Sequence, residues 1–105
     1  MQLNMALVEE ACKELYIRAL KVLPNDIKDG INRLDRNETD QRAQVVLKTM
    51  ITNIAVAERE DNLLCQDTGL PIYNVKIGGN VQFDGMALKA AIRKGCERAT
   101  KEYPL

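Results

Sequence analysis

Pro71-Ile72-Tyr73-Asn74-Val75-Lys76-Ile77 alternates in polarity, placing Tyr73, Val75 and Ile77 on one face, and Gly78-Gly79-Asn80 breaks the run. That is the pattern of a β-strand followed by a turn, in a chain whose other periodicities are helical. Residues 81–83 read either as a second short strand or as the lead into the last helix. A lone strand leaves its backbone donors and acceptors unpaired on both edges, and it normally needs two or more partners for stability. The sequence therefore predicts an α+β fold, mostly helical with about four helices and one or two short strands. Either that strand is an exposed edge or its partners lie on polypeptide outside this chain, and the chain is expected to be an incomplete part of a larger domain.

Upstream, residues 3–23 repeat Leu3, Leu7, Ala11, Leu15 and Ala19 at helical spacing, with Glu9, Lys13 and Arg18 pointing elsewhere, and Pro24 stops the run. Asn25 and Asp26 offer capping chemistry for a short helix carrying Ile27, Ile31 and Leu34. Thr39 or Asn37 is placed to cap the next helix, with Asp40 in its first turn. That helix runs to about Glu60, and its apolar arc, including Val46, Leu47, Met50, Ile51 and Ile54, is wide enough to predict a place at the centre of the bundle. Downstream, Asp84 is the expected N-cap of a final helix whose stripe passes through Leu88, Ala91, Ile92, Gly95, Cys96 and Ala99. Its small residues Ala91, Gly95 and Ala99 allow close approach of another element. Arg33, Asp35, Arg36, Arg93, Lys94, Glu97 and Arg98 are expected on solvated faces.

The composition narrows the chemistry. The 105 residues suit one small unit spanning 1–105, with 15 basic and 15 acidic side chains scattered rather than clustered. No basic stripe offers itself to a phosphate backbone, so nucleic acid is not an expected partner. No run approaches the length of a membrane span and no signal segment is evident, so a soluble chain is expected. Cys12, Cys65 and Cys96 are an odd set without a CxxC pair, which argues against a disulfide framework and for a reducing cytoplasmic setting. The absence of histidine removes the Ser/His/Asp and Cys/His nucleophile pairings and imidazole ligation of zinc.

Immediately before the strand-like run stands Cys65-Gln66-Asp67-Thr68-Gly69, which brings a thiol, an amide, a carboxylate and a hydroxyl together in a loop. Cys65 reads either as an ordinary half-buried cysteine or as a thiolate ligand or reactive thiol. The first is the commoner reading of a free cysteine, and the polar neighbours raise the second, because clustering them is costly unless they bind something or one another. Asp67-Thr68-Gly69 alone is also compatible with an Asx-type turn, and no second copy exists to form an aspartic-protease pair. Cys12 and Cys96 lie on the apolar stripes of their helices and are expected in the core. Gly78-Gly79 lacks the rest of a phosphate-binding fingerprint and reads as a turn.

The segment from Leu64-Cys65-Gln66-Asp67-Thr68-Gly69 to Leu70-Pro71-Ile72, with Val75-Lys76-Ile77-Gly78 after it, resembles the α region of iron-sulfur hydro-lyases, the class I fumarases and tartrate dehydratase α subunits. The preceding helix and the ending Ala99-Thr100-Lys101-Glu102-Tyr103-Pro104-Leu105 extend the resemblance over nearly the whole chain. The resemblance implies a [4Fe-4S] cluster held by three cysteines, one iron remaining open to substrate, with Cys65 as the first ligand. It further implies Gln66 and Asp67 as contacts to a C4 dicarboxylate, Asp67 also serving in proton transfer. The family's other two cluster cysteines lie beyond Leu105, as does a substrate-binding arginine, and Cys12 and Cys96 do not match them. An inactive isolated chain follows, completed by the remainder of the α chain or a β subunit, with a homodimer as a further possibility. Two other functions fit the residues: a stand-alone helical interaction module without a cluster, and a thiol redox protein using Cys65.

Overall fold

The computed structural model describes residues 2–64 and 69–103. Four helices account for most of them, α1 (Met5–Lys21), α2 (Asn25–Asn37), α3 (Gln41–Arg59) and α4 (Gly85–Glu102). Each boundary has a local cause. The Asn4 side chain accepts from the Ala6 and Leu7 N–H groups at the head of α1, and Pro24 closes the turn into α2 by accepting from Ile27 and Lys28. Asp84 caps α4 as the sequence predicts, accepting from Met86 and Ala87. The cap of α3 differs from expectation. Asp40 itself is the N-cap, accepting from Arg42 at 2.8 Å and Ala43 at 3.1 Å, while Glu38 binds the N–H groups of Thr39 and Asp40.

The chain divides into two compact units, one formed by Met1–Arg18 with Asp67–Leu105 and the other by Ala19–Gln66. In the first, α1 and α4 meet through small side chains. Ala91 and Ala99 are buried, as is Gly95, and Cys12 lies opposite. A Cβ added at Gly95 would stand 2.6 Å from the Glu9 carbonyl oxygen and 2.8 Å from the Cys12 Cβ. The small-residue stripe read from the sequence is therefore the surface on which α1 lies.

In the second unit α2 packs along α3, and Lys28–Glu58 and Lys48–Asp35 ion pairs flank the contact. The expected central placement of α3 is not what this unit shows. Val45 and Val46 are 65% and 59% exposed, and Met50 and Val56 are also open. A single neighbouring helix covers only one side of so wide an apolar arc, and α2 is the neighbour available.

The predicted strands do not form. Among the described residues, strand-type pairing is limited to one isolated parallel bridge between Gln2 and Gln82, with the Leu3 N–H donating to the Gln82 carbonyl at 3.1 Å. Residues 71–77 and 81–83 are not strands. Alternation selects which side chains share a face, but a ladder needs a second backbone alongside, and none lies beside 71–77 among the described residues. No helix among the described residues is long and apolar enough to cross a membrane.

Candidate functional site

The residues on either side of the motif singled out by the sequence are each tied to their own unit. On the N-terminal side α3 finishes in a Schellman turn: the Asn62 N–H returns to the Ala57 carbonyl at 2.9 Å, the Asp61 N–H approaches the Glu58 carbonyl, and Asp61 takes the left-handed conformation with φ 52°. Aspartate tolerates that conformation better than most side chains. The next residues are tied back to their own unit, with the Leu64 N–H donating to the Leu20 carbonyl at 3.3 Å and the Asn53 side-chain amide donating to the Leu64 carbonyl at 3.4 Å. Leu64 is therefore positioned one residue before Cys65. Cys65, Gln66 and Asp67, the three predicted site residues, lie outside the described residues together with Thr68.

On the C-terminal side the backbone emerges at Gly69, Leu70 and Ile72, all exposed. It is pinned at Tyr73, whose hydroxyl donates to the Cys12 carbonyl at 2.9 Å and accepts from the Cys96 thiol at 3.3 Å. Burial, with the Cys96 hydrogen bond second, pushes the Tyr73 hydroxyl pKa upward. Burial also raises the Cys12 thiol, with nearby Cys96 adding to the effect. A thiol so shifted is a weak nucleophile at neutral pH, in line with its place in the α1–α4 contact. The sequence assigns Tyr73 to one face of a strand. The tie from its hydroxyl to two cysteine-bearing helices has no linear signature.

Two charged residues also depart from the sequence reading. Lys13, expected to point outward, is buried, and its ammonium lies 2.9 Å from Glu10, 3.0 Å from Glu102 and 3.6 Å from Glu14. Its pKa rises because Glu10, then Glu102, hydrogen-bonds to the charged form. Arg98, expected on a solvated face, joins α4 to α1 through Glu9 at 3.1 Å and Glu10 at 2.9 Å. Glu10 is correspondingly held below the usual carboxylate range, first by Lys13 and then by Arg98. These charges brace two helices. The close approach at Gly95, which brings the α4 side chains near the α1 surface, is what makes the bridges possible.

The chemistry the described residues offer a metal group is limited. No three His, Cys, Asp or Glu side chains gather as a metal site among them. Cys12 is buried in the helix contact and the Cys96 thiol donates to Tyr73, so neither matches a cluster ligand. A [4Fe-4S] cluster takes several thiolates. The described residues do not by themselves make a cluster site.

On either side of residues 65–68 the chain is tied within its own unit, through Leu64 on one side and Tyr73 on the other. The chain belongs to the family described as Fumarate hydratase (Fumerase), whose model matches residues 9–105. It is 34% identical over 99 residues to a provisionally named L(+)-tartrate dehydratase subunit alpha of Methanocaldococcus jannaschii, covering 93% of this chain and 35% of that protein. It is 31% identical over 97 residues to a provisionally named class I fumarate hydratase of Geobacillus stearothermophilus, covering 91% of this chain and 18% of that one. It is 30% identical over 83 residues to the L(+)-tartrate dehydratase subunit alpha of Escherichia coli K12, covering 79% of this chain and 27% of the relative. The chain thus spans about a third or less of the length of these curated relatives.

Proposed function

We propose that this chain is the N-terminal portion of the α polypeptide of a [4Fe-4S]-dependent hydro-lyase that adds water to, or removes it from, a C4 dicarboxylate. The candidate conversions are fumarate to malate and tartrate to oxaloacetate. The observation that carries the reading is the Cys65-Gln66-Asp67-Thr68-Gly69 motif inside a family match that takes in residues 9–105. When bound, the cluster supplies a Lewis-acidic iron for the substrate hydroxyl and carboxylate. Cys65 contributes one thiolate to hold it. The Gln66 amide donates to a substrate carboxylate, and Asp67 moves the proton at the carbon beside that carboxylate.

The remaining thiolates come from outside this chain, from the rest of an α polypeptide or from a β subunit. Alone, the chain is inactive. A reducing cytoplasm suits a site of this kind, and neither nucleic acid nor a membrane enters the reaction. The test is a chimeric α subunit in which this chain replaces the matching 99 residues of the Methanocaldococcus jannaschii protein, combined with the partner subunit and reconstituted anaerobically with iron and sulfide. Hydration of fumarate or dehydration of L(+)-tartrate, absent from the isolated chain, is the expected result. A folded, iron-loaded chimera inactive on both would refute the reading.

A further inference from the structure

The segment 71–77 has the alternation of a strand and none of its pairing. Among the described residues no backbone hydrogen bond engages residues 72–77, although this segment lies along its own unit rather than away from it. The Tyr73 hydroxyl binds Cys12 and Cys96. Val75 and Ile77 help to line an apolar groove of about 370 Å³ together with Leu3, Val8, Leu15 and Ile92. Tyr73 and Ile77 are half-buried on the unit and Val75 is half-exposed, while the ladder is missing. Outside the groove, Leu70 and Ile72 are 89% and 84% exposed, two large aliphatic side chains close together on the same segment. The nearest candidates within the chain are used elsewhere, since Gln2 bridges Gln82 and Leu3 donates to it.

We infer that residues 72–77 form a strand-accepting edge, and that its occupant is a β-strand carried by the part of the α polypeptide for which this chain has no counterpart. The inference rests on the proposed function, in which that polypeptide completes the enzyme. Two observations select this occupant over a second copy of the chain. The relatives continue well beyond the match, which covers 35% or less of their length. Exposed large apolar side chains also occur on several elements, among them Leu7 on α1, Val45 on α3 and Met86 on α4, besides Ile72 in the segment itself, whereas a twofold dimer would need only one self-complementary patch. Recognition by strand addition draws its affinity from main-chain hydrogen bonds, with alternate side chains seated in pockets. A segment with Tyr73 and Ile77 already seated and its backbone groups unpaired is suited to it.

Amide hydrogen exchange tests this in the chimeric α subunit and in the isolated chain. In the isolated chain, the amides of residues 72–77 are expected to exchange at near-unprotected rates at any protein concentration. In the chimera at least alternate amides of that segment are expected to slow by roughly 100-fold or more, the signature of ladder pairing on one edge. A folded chimera in which they exchange as fast as in the isolated chain overturns the inference and leaves the proposed function standing. Protection that grows with concentration in the isolated chain overturns it in favour of a second copy. A chimera that does not fold refutes the premise that this chain replaces the matched segment, and the proposed function falls with it.

Discussion

Gly95→Ala is expected to destabilise the chain by about 2–4 kcal/mol, lowering its thermal midpoint by roughly 10–25 °C. On helix propensity alone the sign would be opposite, because alanine is better than glycine inside a helix by about 1 kcal/mol. Sterics decide the outcome. The new methyl carbon would stand 2.6 Å from the Glu9 carbonyl oxygen, 2.8 Å from the Cys12 Cβ and 3.1 Å from the Lys13 backbone nitrogen. Two of those atoms belong to the α1 backbone and cannot rotate away, so the helices must separate. Separation would also loosen the bridges from Lys13 to Glu102 and from Arg98 to Glu9 and Glu10. Gly30→Ala in α2 is the internal control, since nothing lies within 4 Å of its added Cβ. That substitution is expected to be neutral or stabilising by up to about 1 kcal/mol. Circular dichroism melts of the two variants give the comparison, and a Gly95→Ala midpoint at or above wild type would remove Gly95 as the contact on which α1 and α4 depend.

The second large effect is expected in the chimeric α subunit. Asp67→Asn should lower kcat by about 10²–10⁴-fold, the range associated with losing a positioned general acid or base. Iron content should stay at the unsubstituted level, because the carboxylate is assigned to proton transfer and substrate contact, not to holding the cluster. Asparagine keeps the size and shape but exchanges one acceptor oxygen for an NH2 donor, so the change removes the proton-transfer group with little change in bulk. A kcat within a few-fold of the parent would exclude Asp67 from the chemistry, while loss of iron would move it into the cluster's support.

Helix identity was legible because each helix carries a clear apolar period and punctuation: Pro24 after α1, Asp84 before α4, and the Ala91, Gly95 and Ala99 stripe that meets α1. What failed depends on neighbours that periodicity does not record. The alternation at 71–77 picked out Tyr73, whose hydroxyl reaches α1 and α4, but ladder formation depends on a second backbone. The wide arc of α3 signalled a buried helix, yet burial is decided by what surrounds it, and Val45 and Val46 remain open. Lys13 looked solvent-facing because a single charge on a helix usually is. Its burial depends on Glu102, far along the sequence, arriving beside it. Family membership was readable from Cys65-Gln66-Asp67-Thr68-Gly69 and its flanks, and the family match bears that out. The roles of Cys65, Gln66 and Asp67 rest on the proposed function.

Iron and acid-labile sulfide per chimeric α subunit, measured after anaerobic reconstitution with Cys65 intact and with Cys65→Ser, test the central claim most directly. The expected result is a stoichiometric four-iron cluster with Cys65 and its loss, or collapse to a small residual fraction, with serine, in a protein that remains folded. An equally loaded and equally active Cys65→Ser protein would contradict the account.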